Sequence, residues 1–249
     1  MTTFNPIKFS MVKTFSRNIY GRDFVVGDIH GHFDLLLQLL KKVNFNTRKD
    51  RIFSVGDLVD RGPHSKIVTD WLNKSWFHAV RGNHEQMIID CAGGNGDIPR
   101  HTRNGGAWFY NIPRLAQVNI FKALCRLPLV IEVELSSGGK IGIVHAEPPL
   151  WKNTHTWLDA KQIAALKSDD KNYELALYHA LYSRTKIDNN DCTFISGIDN
   201  IYVGHSTVPR VTNLGNVVYI DTGCSFGDGA LSLIDINSGM LAMEIMPPQ

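Results

Sequence analysis

Three short polar blocks, Gly27-Asp28-Ile29-His30-Gly31, Gly56-Asp57-Leu58-Val59-Asp60-Arg61-Gly62 and Gly82-Asn83-His84-Glu85, each stand at the end of an apolar run in the first third of the chain. The runs are Phe24-Val25-Val26, Ile52-Phe53-Ser54-Val55 and Trp76-Phe77-His78-Ala79-Val80. Short stretches rich in β-branched and aromatic residues read as buried strands. Three such strands carry their polar residues to loops at one edge of a sheet, where open α/β sheets take ligands. Between His32 and Val43 the apolar residues Phe33, Leu36, Leu37, Leu40 and Val43 recur at helical spacing, so the first polar loop leads straight into an amphipathic helix.

The same periodicities predict helices over 65–74, 85–91, 114–127 and 173–182, with Gly93-Gly94-Asn95-Gly96 as an exposed loop. After Pro128 the pattern turns to strands. The expected segments are 129–135 and 140–145, joined by the hairpin turn Ser136-Ser137-Gly138-Gly139, and then 201–205, 217–221, 230–236 and 241–246. This order predicts an α/β chain (α+β by some schemes) in which two mixed β-sheets pack together and are flanked by helices. No linker, repeat or low-complexity stretch divides it, so residues 21–249 are expected to form a single domain, preceded by an extension, 1–20, of uncertain structure.

Composition narrows the function classes. A formal charge of +2, with no window dominated by Lys or Arg, gives no reason to expect nucleic acid as a partner. The first twenty residues, Met1 to Tyr20, hold no continuous apolar segment of the kind a signal peptide or membrane span needs. Cys91, Cys125, Cys192 and Cys224 lie far apart without paired spacing, which suits reduced thiols and a cytoplasmic protein.

The chemistry lies in the blocks. Asp28 and His30 are two residues apart, so on extended backbone they point the same way and can share one metal. Asp57 arrives on the neighbouring strand and can bridge two metals with its two carboxylate oxygens, while Asn83 offers a neutral carbonyl oxygen. Val144-His145-Ala146 and Val203-Gly204-His205-Ser206 each set a histidine just after a strand, a position suited to the second metal. Mixed nitrogen and oxygen donors without thiolate favour manganese, iron or zinc. Arg61 and Arg81 flank these loops, and a guanidinium fork matches the oxygens of a tetrahedral phosphate. His84 follows Asn83 immediately and is expected to face a substrate as general acid, with Asp60 orienting its imidazole. Asp60 would otherwise serve only to cap the helix that starts near His64. The scheme is in-line displacement at phosphorus by a water held between two metals, with the leaving oxygen protonated by His84. Glu85 is expected to anchor its loop by hydrogen bonding, and His32, His64, His78, His101, His155 and His179 are read as surface or packing residues.

The set GDIHG, GDLVDRG, RGNHE, VHA and GHS resembles the phosphoprotein phosphatase branch of the metallophosphoesterases, and most closely its small bacterial and phage enzymes. The likeness runs from about Asp23 to Phe226 and takes in Gly105-Gly106-Ala107-Trp108-Phe109 and Tyr219-Ile220-Asp221-Thr222-Gly223. The resemblance implies the metallophosphoesterase four-layer fold and two divalent ions per chain, most readily manganese. It makes Asp28, His30 and Asp57 ligands of one metal, and Asp57, Asn83, His145 and His205 ligands of the other. It further implies His84 with Asp60 as the acid pair and Arg61 and Arg81 on the phosphate. In Leu181-Tyr182-Ser183-Arg184 it sets Arg184 as another phosphate-binding arginine, although the flanking residues depart from the tryptophan-containing pattern of the small phosphatases.

The leading function implied is a metal-dependent serine/threonine phosphatase with phosphoproteins as substrates, and phosphotyrosine as a further candidate. Hydrolysis of dinucleoside polyphosphates is the second reading; relatives with that activity usually lack Arg before Gly-Asn-His and carry Asp after it, where this chain has Arg81 and Glu85. A catalytically dead phosphoprotein-binding scaffold is the third, and the complete set of ligands and acid speaks against it.

Overall fold

The computed structural model describes residues 10–152 and 154–245. In chain order its elements begin with β1 (Val12–Phe15), β2 (Asp23–Val26), α1 (Phe33–Lys42) and β3 (Arg51–Ser54). A 3-10 turn (Ser65–Ile67) then leads into α2 (Val68–Leu72), β4 (Phe77–Ala79) and α3 (Asn83–Gly93). There follow α4 (Ile98–His101), a kinked turn (Thr102–Gly106), α5 (Ala107–Tyr110) and α6 (Arg114–Leu124). The second half runs β5 (Val130–Glu134), β6 (Lys140–Val144), α7 (Trp157–Ala164), α8 (Tyr173–Tyr182), α9 (Thr185–Asp188) and β7 (Asn200–Val203). It ends with β8 (Thr212–Leu214), β9 (Val217–Tyr219), β10 (Ala230–Asp235) and β11 (Leu241–Ile245).

Two mixed sheets result, one in the order β11-β10-β2-β3-β4 and the other β1-β5-β6-β7-β9-β8. Alternation along the strands builds the layers, because successive side chains leave opposite faces. On β2, Phe24 and Val26 join Leu35, Leu36 and Leu39 of α1, whereas Val25 turns inward and shares a cluster with Phe53, Ile143 and Tyr202. On the other sheet Ile201 and Val203 pack outward with Trp157 of α7 and Leu181 of α8, while Tyr202 between them enters the intersheet core. Helices, sheet, sheet and helices therefore form four layers, as the element order predicts.

The expected strands all occur, within a residue or two at their ends; position 246, included in the last of them, lies outside the described residues. The 65–74 helix is a 3-10 turn followed by a short α-helix, and the 114–127 helix stops at Leu124, four residues short of Pro128. The stretch before Tyr20 supplies β1, which pairs in parallel with β5 at the sheet edge. Among the described residues no helix is long and apolar enough to cross a membrane, and the four cysteines form no disulfide.

For the site, the decisive feature is strand direction. β2, β3 and β4 run parallel in one sheet, and β6, β7 and β9 run parallel in the other. Their carboxyl ends open onto Asp28, Asp57, Asn83, His145, His205 and Asp221, each within four residues of its strand.

Candidate active site

The loops that leave these strands are bent tightly. Among the described residues, seven that are not glycine have positive φ, and five of them, His30, Asp57, Asp60, Arg61 and His205, belong to the predicted site. Such backbone costs on the order of 1–3 kcal/mol per residue and persists only where its surroundings enforce it. Glu85 is one enforcer. Its Oε2 accepts the N–H groups of Asp57 (2.9 Å) and Gly82 (2.8 Å), and its Oε1 accepts that of Leu58 (2.8 Å), so the β3 and β4 loops are tied to the first turn of α3. Gly82 is needed there, since a Cβ would overlap the Asp57 carboxylate. Asp57 Oδ1 then accepts the His84 N–H at 3.0 Å, at the helix N-terminus, where negative charge is favoured.

Asp57 lies between two groups of donors. Its Oδ2 is 3.6 Å from His30 Nε2, and its Oδ1 is 3.4 Å from His145 Nε2. Asn83 Oδ1 is 2.9 Å from both His145 Nε2 and His205 Nδ1. His145 Nδ1 is 2.8 Å from the Val55 carbonyl, and His30 Nδ1 is 3.0 Å from that of Val59. A carbonyl can only accept, so each Nδ1 carries the proton and each neutral ring turns a lone pair inward from Nε2. In His145 that lone pair meets the oxygens of Asn83 and Asp57. Acceptor facing acceptor in a buried site is what a cation resolves.

The electrostatics agree. Burial, with His84 next to it, pushes His30 down to about 3, and burial with His145 does the same for His205, also to about 3. Both rings are therefore neutral at physiological pH, the form that binds metal. Burial opposes charge on Asp57, yet His145, His84 and His30 around it hold its carboxyl below the usual range. Burial, Asp221 and Asp57 push Asp28 up, and its Oδ1 is buried without a hydrogen-bond partner among the described residues. Two clusters with metal-ligand spacing follow, His30-Asp57-His84 and Asp57-His145-His205, sharing Asp57. Asp28, Asn83 and the shared carboxylate complete donor sets that fit two divalent ions.

Beside this centre His84 Nδ1 lies 2.7 Å from Asp60 Oδ2, and its Nε2 faces the cavity, 3.8 Å from Asp57 Oδ2. Burial works against the imidazolium, but Asp57 and the bond to Asp60 outweigh it and raise His84 above the ordinary histidine range. Asp60 carries no solvent exposure and caps no helix with its side chain. The structure thus brings together the His84–Asp60 pair that the sequence singles out.

A polar cavity of about 250 Å³ opens over these groups and is also lined by Arg61, Arg184, Arg100, Tyr182 and Phe226. Arg61 is exposed, stacks 5.2 Å from the Phe226 ring centre and donates to Ser225 Oγ (3.1 Å). Arg184 stands just past the end of α8 and donates to the His205 carbonyl at 2.9 Å. Arg81 corrects the sequence reading. It is 4% exposed, does not line the cavity, and spends its guanidinium on Gln86 Oε1 (3.0 Å) and on the Cys125 and Leu127 carbonyls (3.2 Å each). Its work is to bind the α3 start to the end of α6, not to hold a phosphate. Among the cavity residues that the sequence reading did not assign to the site are Asp221, one of the strand-end series, which accepts from Thr207 Oγ1 (2.8 Å), and Arg100 and Phe226 on the rim.

A kinetic comparison separates these arginines. Arg61→Ala and Arg184→Ala should each lose about ten- to a hundredfold in kcat/KM, the worth of one charge-assisted contact. Arg81→Ala should instead unfold at lower temperature, since it strands buried carbonyls at a cost of about 1–3 kcal/mol, while its folded fraction keeps its kinetics. A kinetic loss in Arg81→Ala without loss of stability would return it to the phosphate.

The comparisons come to the same place. A family model for calcineurin-like phosphoesterases matches residues 24–229. The chain is similar to serine/threonine-protein phosphatase 1 of Salmonella typhimurium (strain LT2), with 38% identity over 216 residues, 86% of this chain and 91% of the relative. A shorter likeness, 38% over 79 residues, 31% of this chain and 28% of the relative, is to the symmetrical bis(5'-nucleosyl)-tetraphosphatase of Chromobacterium violaceum. Among solved structures a protein serine/threonine phosphatase from Saccharomyces cerevisiae matches with a TM-score of 0.61 at 16% identity, covering 97% of this chain and 85% of that one, a likeness of fold.

Proposed function

We propose, since the chain belongs to the calcineurin-like phosphoesterase family, that it hydrolyses phosphoserine and phosphothreonine in proteins at a dinuclear metal centre. The observation that carries this reading is the shared carboxylate of Asp57, with a histidine group at each oxygen and His84 within 4 Å of it. Asp28, His30 and Asp57 would hold one ion, and Asp57, Asn83, His145 and His205 the other. Manganese is the first choice, with iron and zinc as alternatives of compatible donor preference. When bound, two such ions supply positive charge to the phosphoryl oxygens and make a water acidic enough to attack phosphorus near neutral pH.

The chain's own residues do the rest. Arg61 and Arg184 grip the phosphoryl group from the open side. His84 gives its Nε2 proton to the departing oxygen, while Asp60 accepts the hydrogen bond of its Nδ1–H and so holds the ring's orientation. We place the protein in the cytoplasm, where its four free thiols stay reduced.

Similarity to tetraphosphatases favours dinucleoside polyphosphates as a second reading. Against it stands the near full-length likeness to a protein phosphatase, where the likeness to a symmetrical tetraphosphatase covers 31% of this chain. Manganese-loaded protein should show a higher kcat/KM on a phosphoserine peptide than on diadenosine tetraphosphate. The opposite order would install the second reading.

A further inference from the structure

Asp60 does more than meet His84. Its carboxylate has no solvent exposure and lies among three side-chain donors: His84 Nδ1 at 2.7 Å from Oδ2, His101 Nε2 at 3.0 Å from Oδ2 and 3.3 Å from Oδ1, and Trp108 Nε1 at 2.7 Å from Oδ1. An ionised carboxylate only accepts, so all three must point protons at it. With Nε2–H given to Asp60, a neutral His101 has Nδ1 as an acceptor, 2.8 Å from the Tyr110 hydroxyl, which can donate to it.

The backbone that delivers these donors is unusual. Between α4 and α5 the chain kinks through Thr102–Gly106, where Gly105 leaves the helical conformation at φ 97°. Both glycines of that turn are needed for contact with the site. A Cβ at Gly105 would come within 2.5 Å of the Arg61 backbone nitrogen, and one at Gly106 would overlap the His101 imidazole. The segment packs against the back of the Asp60-Arg61 loop, behind both the acid's partner and a phosphate-facing arginine.

We propose that His101 and Trp108 are positioning residues for the reaction: together they lock the Asp60 carboxylate in the one rotation that leaves Oδ2 to the His84 imidazole, and so aim His84 Nε2 at the leaving oxygen. The proposal rests on the reading of His84 as general acid. Without the Trp108 and His101 donors, Asp60 is a buried carboxylate with unpaired acceptors, free to rotate and take His84 with it. The loss then falls on proton delivery, not on substrate binding or metal content.

The test uses manganese-loaded protein, a phosphoserine peptide and nitrophenyl phosphate, whose phenolate leaves without help. His101→Leu and Trp108→Phe should each lower kcat on the phosphopeptide by about tenfold, a part of the hundred- to ten-thousandfold that a general acid contributes. On nitrophenyl phosphate the loss should stay within about threefold, with KM changed less than about twofold, because that leaving group needs little protonation. His101→Gln, which restores an N–H near the Nε2 position, should recover most of the loss. His84→Asn, run beside them, separates the two ideas. If His84→Asn is selective for the phosphopeptide while Trp108→Phe and His101→Leu behave as wild type or lose both substrates equally, the positioning role is wrong and the acid stands. If His84→Asn itself shows no selectivity, the acid reading fails and the positioning role falls with it.

Discussion

Asp57→Asn should reduce turnover to near background on every phosphate ester and leave neither metal position filled. The carboxylate has one oxygen toward His30 and the other toward His145, so its replacement by an amide removes a negative charge shared by both donor groups. An amide also offers only one acceptor oxygen, and its N–H₂ would point at one of the two clusters. His30→Ala removes a ligand from one side only and should lose one ion while the other is retained. Metal counted in the two purified variants checks the assignment. Equal loss of a single ion in both would show that Asp57 does not bridge.

The second large effect belongs to His84. Protonating the leaving oxygen matters most when that oxygen is a poor leaving group, as the alkoxide of serine is, and least when it is a stabilised phenolate. His84→Asn should therefore cost about a hundred- to ten-thousandfold on a phosphoserine peptide and far less on nitrophenyl phosphate. Asp60→Asn should show the same bias in milder form, because it disturbs the imidazole without removing it. His84 is well placed for this task, with Asp57 and Asp60 holding its proton against burial. If both substrates fell equally in both variants with metal content intact, His84 would be a phosphate ligand and not the acid.

The four-layer fold and the convergence of Asp28, His30, Asp57, Asn83, His145 and His205 were legible because they follow from local rules. An apolar run of β-branched residues declares a strand, parallel strands align their carboxyl ends, and polar residues just beyond those ends must meet. Arg81 shows where such rules stop. Its neighbours in sequence, Gly82 and Asn83, do reach the site, but its own N–H is bonded to the Pro128 carbonyl and its side chain follows toward the end of α6. Nothing within its loop announces that direction.

His101 and Trp108 were hidden for a related reason. Their partner Asp60 is 41 and 48 residues away, and the stretch between them, Thr102-Arg103-Asn104-Gly105-Gly106, has the composition of a loop and kinks at Gly105 between two short helices. Two adjacent glycines ordinarily signal a break in helix. Here they allow backbone and imidazole to approach the site closely, and that use becomes visible only once the opposite surface is in place.

The central claim is a two-ion centre built on one shared carboxylate. Its most direct test is a manganese titration of chelated protein, with bound metal measured by elemental analysis alongside phosphopeptide hydrolysis. Activity should be absent at the start and reach its plateau at two bound ions per chain. Full activity with one ion bound, or with none, would contradict it.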